Sequence, residues 1–291
     1  MIKISVPATS ANLGPGFDCL GMALSLYNTF EIEVSDTLRL DNVEERFNNP
    51  DNLFVQAYMK GMKAIGRTGS IHAVFHCDIP VSRGLGSSAA MITGGLYAAS
   101  VLHDSALSKD QIFELAAEME GHPDNAAPCV YGGLTACLKQ NDSCTVGSLN
   151  LDSNWITTVL IPSFEVSTAS ARAILPASVS LKDAADNGAH AILMVHALET
   201  GNEALMKLAA KDLLHEPYRK NLIPHFDAVK RISEHDTGGA CLISGSGSTC
   251  LLISRQPLSR VGLEELAQVP GSWNIRQLSV DPMGVSTLEA D

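Results

Sequence analysis

The stretch PVSRGLGSSAA, Pro80 to Ala90, is a glycine-serine loop that runs directly into an alanine-rich helical pattern. Glycine has no Cβ, so at Gly84 and Gly86 the backbone can adopt positive φ and approach a ligand closely. Ser87 and Ser88 follow where the helix should start, and their hydroxyls can cap that helix or contact a phosphate or a magnesium ion. The positive end of the helix dipole favours an anion at the same place. The stretch therefore predicts a phosphate-binding loop between a strand and a helix.

Two better-known phosphate loops fit this stretch poorly. A Walker A loop requires a lysine, and none lies between Pro80 and Ser108. The spacing Gly84-x-Gly86-x-x-Ala89 formally matches a dinucleotide fingerprint, with Asp104 near the place of its ribose-binding acid. That unit needs a strand before the acid, whereas the pattern there is helical. An ordinary strand-to-helix connection remains the alternative for the loop taken alone.

Length and composition indicate a globular protein of about two domains, since domains average roughly 150 residues. The chain has 291 residues, 45% of them hydrophobic and 18% charged, with a net charge of −12. The polar stretch Gln140–Asn154 is the candidate boundary, which gives domains at 1–150 and 151–291. A strongly acidic chain argues against nucleic-acid or membrane-surface binding, and no apolar run is long enough to span a bilayer.

The seven cysteines are scattered, odd in number and form no Cys-x-x-Cys pair. They are typical of reduced thiols in a cytoplasmic protein. The first residues alternate as a strand and show no export signal, which favours the same location.

A second glycine-rich loop, PATSANLGPGFD, covers Pro7 to Asp18. It brings the Asn12 amide and the Asp18 carboxylate towards one another, as a small polar ligand would require. Turn chemistry, in which both side chains bond to their own backbone, explains the pair equally well.

Downstream of the phosphate loop, the sequence SKDQ at Ser108 predicts a capping box and a new helix. Gly121 and Pro123 should stop that helix, so that Glu120 projects from its end and Asn125 from the following loop. Glu120 could ligate a Mg²⁺ ion that bridges nucleotide phosphates. An exposed terminal glutamate is the alternative.

The carboxy-terminal half offers one further candidate for anion binding. If Val166–Arg172 is helical, Thr168 and Arg172 share one face at i, i+4. Arg172 could then clamp a carboxylate or phosphate through two hydrogen bonds, unless it is a surface arginine. Later, Gly245–Ser248 separates two apolar strands and predicts a hairpin whose backbone could also close over a ligand.

Together these segments resemble the GHMP small-molecule kinases, and within that superfamily the homoserine kinases. The resemblance rests on three motifs in the family's order, at 7–18, 80–89 and 245–248, and on HPDNAAP at His122–Pro128. It implies an α+β protein with a ribosomal-S5-like amino-terminal domain and a ferredoxin-like carboxy-terminal domain.

The resemblance also implies an activity. The chain would use ATP and Mg²⁺ to phosphorylate the hydroxyl of L-homoserine, giving O-phospho-L-homoserine and ADP in threonine biosynthesis. No nucleic-acid or membrane partner is implied, and a homodimer stays open. The alternatives are a GHMP kinase for another small alcohol and a nucleotide-binding regulator without turnover.

By position, the resemblance assigns a role to each candidate residue. The nucleotide would contact Asn52, Arg83, Gly84, Leu85, Gly86, Ser87 and Ser88; magnesium would contact Ser88 and Glu120, with Glu118 as a rival. The homoserine pocket would consist of Asn12, Asp18, Asn125, Arg172 and Arg219, and the catalytic residues would be Asp18, Thr168 and Arg172. Asp18 would act on the homoserine hydroxyl, either as a general base or as a positioning group.

Overall fold

The computed structural model describes residues 1–141 and 143–288, which form two β-sheets with helices packed against them. The strands are β1 (Ile2–Ala11), β2 (Leu20–Ser35), β3 (Arg39–Asp41), β4 (Ser70–Cys77), β5 (Leu134–Gln140), β6 (Ser143–Leu149), β7 (Ile156–Ile161), β8 (Ala240–Ile243), β9 (Cys250–Ser254), β10 (Asn274–Leu278) and β11 (Ser286–Leu288). The helices are α1 (Leu53–Ala64), α2 (Ser87–Val101), α3 (Lys109–Glu120), α4 (Pro123–Tyr131), α5 (Thr168–Ala173), α6 (Leu181–Thr200), α7 (Glu203–Ala209), α8 (Glu216–Arg219), α9 (Phe226–Thr237) and α10 (Arg260–Ala267).

The first sheet has the strand order β11-β1-β2-β4-β3, and β5 and β6 extend from β2. Its core contains Phe30, Phe54 and Phe75, whose ring centroids lie 4.6 to 5.2 Å apart. Helix α2 is apolar on nearly every side, so it is buried rather than amphipathic. A Cβ at Gly95 would lie 2.1 Å from the Phe54 carbonyl oxygen, so glycine is what lets α1 and α2 pack this closely. This packing fixes the start of α2, where the phosphate loop lies.

The second sheet has the order β10-β7-β9-β8, with every neighbouring pair antiparallel. Its chain order is strand, helices, hairpin, helix, strand, which is the split β-α-β-β-α-β arrangement of ferredoxin-like domains. Apolar side chains of α9 and α10 cover it, among them Phe226, Val229 and Leu266. The expected α+β class and the ferredoxin-like carboxy-terminal half are therefore confirmed.

The chain passes from the first sheet to the second close to the expected boundary, and a later segment returns to the first sheet. β6 ends at Leu149 in the first sheet, and β7 begins at Ile156 in the second. β11 then pairs with β1 in the first sheet, with Lys3 opposite Leu288. Nearby, the Ser25 backbone N–H donates to the Ser279 carbonyl, and Ser25 Oγ accepts from the Ser279 N–H. The division at residue 150 stays a prediction, and residues 279–288 lie with the first sheet.

Several local expectations are confirmed, because they depend on neighbours in sequence. Ser108 and Gln111 form the capping box of α3, and Gly121 ends that helix with φ of 85°. One expectation was wrong. The segment after Gly121 is helix α4, not a loop, because Pro123 occupies its first position, where proline's fixed φ favours a helix. Within the described residues, no helix is long and apolar enough to cross a membrane.

Candidate active site

A cavity of about 530 Å³ lies between the two sheets and collects most of the candidate residues. Its lining includes Asn12, Asp18, Asn52, Arg83, Gly84, Gly86, Ser87, Ser88, Glu120, Asn125, Thr168, Arg172 and Arg219. Leu85 is the exception, because its side chain is fully buried in the core and anchors the loop from behind. Any contact of Leu85 with a ligand would have to come from its backbone.

The phosphate loop is held in a conformation that only glycine allows. Gly84 and Gly86 have φ of 73° and 68°. A Cβ at Gly84 would lie 2.2 Å from the Ser244 carbonyl oxygen, and one at Gly86 would lie 1.9 Å from Thr9 Oγ1. The loop therefore packs against β1 on one side and against the Gly245–Ser248 turn on the other.

Helix α2 begins without a side-chain cap. Gly86 is its N-cap residue and offers no side chain to accept a hydrogen bond from the first turn. Of the two roles left open for Ser87 and Ser88, capping is not seen, and Ser88 instead donates its hydroxyl hydrogen bond to Glu120 Oε1. The first N–H groups of α2 thus stay available at the cavity, which is the arrangement that binds phosphate at helix N-termini.

Glu120 lies at the end of α3 with 8% of its side chain exposed. Burial raises the pKa of Glu120, although the Ser88 hydrogen bond opposes this. Glu118, the rival for the metal, forms a salt bridge of 2.7 Å with Lys60 on the protein surface. The structure thus brings Glu120 and Ser88 together at the cavity and leaves Glu118 outside.

These two oxygen ligands fit Mg²⁺, which uses one or two carboxylates together with substrate oxygens and water. In residues 1–141 and 143–288, no group of three or more His, Cys, Asp or Glu side chains could hold a metal alone. A cation beside Glu120 would therefore need the oxygens of a bound phosphate.

His122 is a cavity residue to which the sequence assigned no role. Its Nδ1 lies 2.8 Å from Asp124 Oδ1, and its Nε2 lies 3.9 Å from Glu120 Oε2. Burial lowers the pKa of His122, but the Asp124 hydrogen bond and the two carboxylate charges outweigh it, so the pKa lies above its usual value. When it is protonated, the ring adds positive charge beside Glu120, which bonds to Ser88 in the first turn of α2.

Elsewhere in the cavity lining, Asp18 and Arg172 form a bidentate ion pair. Arg172 Nη1 donates to Asp18 Oδ2 at 3.0 Å, and Nη2 donates to Oδ1 at 2.8 Å. The pair is half-buried, with about a third of each side chain exposed. Turn chemistry accounts only for Asn12, whose Oδ1 accepts from the Asp18 backbone N–H while its Nδ2 donates to the Gly245 carbonyl. Asn12 thus acts as a frame for the loop.

Arg219 is only 2% exposed and lies behind this ion pair. Its Nε donates to the Ala171 carbonyl and its Nη1 to the Gly245 carbonyl, and burial lowers its pKa. The ring of Phe17, a residue that the sequence did not single out, lies 5.2 Å from the Arg219 guanidinium and 5.9 Å from that of Arg172. The site therefore has two cations stacked about one aromatic ring.

The remaining predicted residues lie at the cavity but differ in what their side chains can do. Thr168 Oγ1 is 3.5 Å from Ser246 Oγ, and Asn125 Oδ1 accepts from the buried Thr9 hydroxyl. Asn52 is the N-cap of α1 and also donates to the Phe47 carbonyl, so its amide is already occupied.

Arg83 donates to the carbonyls of Val81, Pro162 and Ser163. It thereby ties the phosphate loop to the end of β7. Its guanidinium is committed to this bridge between the two sheets.

The comparisons with known proteins agree with this geometry. Residues 52–133 match the family model "GHMP kinases N terminal domain", and residues 193–265 match "GHMP kinases C terminal". A homoserine kinase of Clostridium botulinum is 39% identical over 289 residues, covering 98% of this chain and 97% of the relative. One of Clostridium beijerinckii is 39% identical and covers 99% of both chains.

This chain belongs to the homoserine kinase family. A solved homoserine kinase, that of Cytophaga hutchinsonii, has a TM-score of 0.87 at 28% identity and covers 99% of this chain and 97% of its own. The expected GHMP kinase fold is thereby confirmed, as is the homoserine kinase resemblance drawn from the motifs.

Proposed function

We propose that this protein transfers the γ-phosphoryl group of ATP to the hydroxyl of L-homoserine, yielding O-phospho-L-homoserine and ADP for threonine biosynthesis. The supporting observation is a single cavity with an anion-binding helix start at one end and the Asp18–Arg172 ion pair at the other. Membership of the homoserine kinase family supports homoserine as the acceptor.

At the nucleotide end, the free N–H groups of α2 and the backbone at Gly84 and Gly86 would hold the phosphates. Ser88 and Glu120 would hold Mg²⁺, which supplies charge neutralisation on the phosphates when it is bound. His122 would add a positive charge nearby when its ring is protonated. Phosphoryl transfer depends mainly on position and electrostatics, and these groups provide both.

At the acceptor end, homoserine is a zwitterion and so offers one partner to each member of the ion pair. Arg172 would exchange Asp18 for the substrate carboxylate, a bidentate contact that suits its planar guanidinium. Asp18, once released, faces the ammonium group, its strongest available partner. This role is an alternative to the expected action of Asp18 on the hydroxyl, which stays a prediction, and the bidentate contact with Arg172 supports the alternative. Thr168, one helical turn before Arg172, would lie nearer the hydroxyl.

The decisive experiment measures ADP release with ATP and Mg²⁺ across homoserine, mevalonate and sugars, with the product identified by ³¹P NMR. We expect turnover with homoserine only. Faster turnover of another alcohol would indicate a GHMP kinase of different specificity. Nucleotide binding without any turnover would indicate a regulator.

We also propose that the protein acts in the cytoplasm and contains reduced thiols. All seven cysteines are free, as proteins of reducing compartments usually show. Thiol titration of the protein in cell lysate, before any reductant is added, tests this directly.

A further inference from the structure

One edge of the first sheet carries a histidine between two carboxylates. His72 on β4 places Nδ1 2.9 Å from Glu33 Oε1 on β2, and Nε2 2.8 Å from Asp41 Oδ2 on β3. A neutral imidazole has one N–H and can donate to only one of these carboxylates. Both contacts are hydrogen bonds only when the ring is protonated. Only 13% of the His72 side chain is exposed, so the arrangement is partly shielded from water.

The two carboxylates support a protonated ring, and the nearby cations oppose it only in part. Arg39 contacts Asp41 at 2.9 Å, and the amino group of Met1 lies 4.0 Å from Glu33. The hydrogen bonds to Glu33 and Asp41 raise the pKa of His72, and burial and the Arg39 charge only partly oppose this. The same hydrogen bonds lower the pKa of both carboxyls. No other charged group contacts the ring within the described part of the chain.

Asp41 lies directly before a segment that lines the cavity. It ends β3, a strand of three residues at the sheet edge that pairs with β4. The next residues, 42–52, are here named the cavity strap. Val43, Phe47 and Asn49 are among those that line the cavity, as does Asn52, which the sequence resemblance assigns to the nucleotide. The strap is attached at its start by Asp41 and by Asn42, whose Nδ2 donates to the Phe75 carbonyl at 2.6 Å. It is attached at its end where α1 begins.

We propose that His72 is a positioning residue for the nucleotide: its bonds to Glu33 and Asp41 hold β3 in the sheet and so keep the cavity strap against the bound nucleotide. This inference rests on the proposed use of ATP. A histidine whose pKa is raised on folding contributes fully below its unfolded pKa, and its contribution is lost as pH rises through the folded value. The KM for ATP should therefore rise with pH, while kcat at saturating ATP should not follow it.

The chain offers a matched control for this test. His76 lies on the same strand, four residues after His72. Its Nε2 lies 3.4 Å from Oε1 of a single carboxylate, Glu31. We compare His72→Gln and His76→Gln with the wild type from about pH 6 to about pH 8.5, a range that spans histidine titration. Dividing each variant's KM by the wild-type value at the same pH cancels the titration of ATP itself.

We expect His72→Gln to raise the KM for ATP about two- to fivefold at the acid end. This fold-change corresponds to the free energy that an exposed ion pair contributes. The ratio should approach one at the alkaline end, where wild-type His72 is neutral. kcat and the KM for homoserine should stay within error of the wild type. His76→Gln should give a ratio of one throughout.

A second readout does not require turnover. Amide hydrogen exchange of residues 42–52 is measured at one pH without nucleotide, and it should be faster in His72→Gln than in either the wild type or His76→Gln. Equal exchange and equal KM for ATP in the two variants would overturn the proposal. So would a His72→Gln variant in which kcat falls as far as the KM for ATP rises. If the wild type fails to turn over ATP, the proposed function fails, while the exchange measurement still tests whether His72 anchors the strap.

Discussion

At the scale of single residues, the charges of the proposed acceptor site already neutralise one another in the free protein. Asp18 and Arg172 satisfy one another through two hydrogen bonds, and Phe17 lies against the guanidinium. A ligand with only one charge would release one partner and leave the other unpaired in a half-buried site, which is unfavourable. A zwitterion avoids this. The ion pair itself should thus select amino acids over other small alcohols.

We therefore predict that Arg172→Ala raises the KM for homoserine about ten- to a hundredfold, the value of a charged hydrogen-bonded contact, with a smaller effect on kcat. Steady-state kinetics with homoserine and ATP varied separately provide the measurement. Threonine, which has the same carboxylate and ammonium, should compete with homoserine and not with ATP.

Asp18→Asn provides the complementary variant. It keeps the size of the side chain and removes its charge, so it should raise the KM for homoserine if Asp18 holds the ammonium. A drop in kcat with an unchanged KM would instead place Asp18 at the hydroxyl. An unchanged KM for homoserine in Arg172→Ala would show that the substrate lies elsewhere.

The same residues show which parts of the site the sequence can predict. Glycine positions at 84 and 86 and the candidate carboxylate Glu120 follow from local patterns. The partner of Asp18 is 154 residues away, and the Asn52 and Arg83 side chains are committed to carbonyls whose positions depend on the whole fold. Sequence therefore identified which residues face the cavity better than it identified what each one contacts.

At the scale of secondary structure, helices α2 and α3 bring together Ser88 and Glu120, the proposed metal ligands. We predict that Glu120→Gln raises the Mg²⁺ concentration needed for half-maximal activity, because a neutral amide is a weaker ligand. Glu118→Gln, whose side chain lies on the surface against Lys60, is the control and should behave as the wild type.

The Mg²⁺ concentration that the wild type needs should rise as the pH falls. The raised pKa of Glu120 means that the wild type loses its ionised ligand, and needs more Mg²⁺, as pH falls through that value. The Glu120→Gln variant should lack this dependence.

Glu120→Gln should also be at least as stable as the wild type near neutral pH, since a carboxyl whose pKa is raised on folding opposes folding above that pKa. Chemical denaturation of the two proteins measures this difference in stability. For the metal, a Mg²⁺ requirement raised only by Glu118→Gln would show that Glu118 is the ligand.

The start of α2 permits a test of why glycine is needed there. We predict that Gly86→Ala lowers the free energy of unfolding by more than Gly121→Ala does. Both residues have positive φ, which costs alanine about 1–2 kcal/mol. At Gly121 a Cβ has open space, whereas at Gly86 it meets Thr9 Oγ1. Urea denaturation of the two variants provides the comparison, and equal losses would show that contact with β1 is unimportant.

At the scale of the whole molecule, the two sheets are joined by polar contacts around the cavity and by the return of β11 to β1. We predict that deleting residues 286–291 lowers the free energy of unfolding and promotes aggregation, because β1 becomes an open sheet edge. Deleting only 289–291 keeps β11 and serves as the control. Denaturation and light scattering measure both effects. If the two deletions behave alike, the β1–β11 pairing contributes little to stability.

That pairing also has a consequence for biosynthesis on the ribosome. Lys3 pairs with Leu288, so β1 must wait for a strand that the ribosome synthesises much later. At roughly 5–20 residues per second, the wait is on the order of fifteen seconds to a minute. During that time β1 can pair with β2, but its other edge is exposed to neighbouring nascent chains. The timing of translation, and chaperones that shield that edge, should therefore influence the yield of native protein.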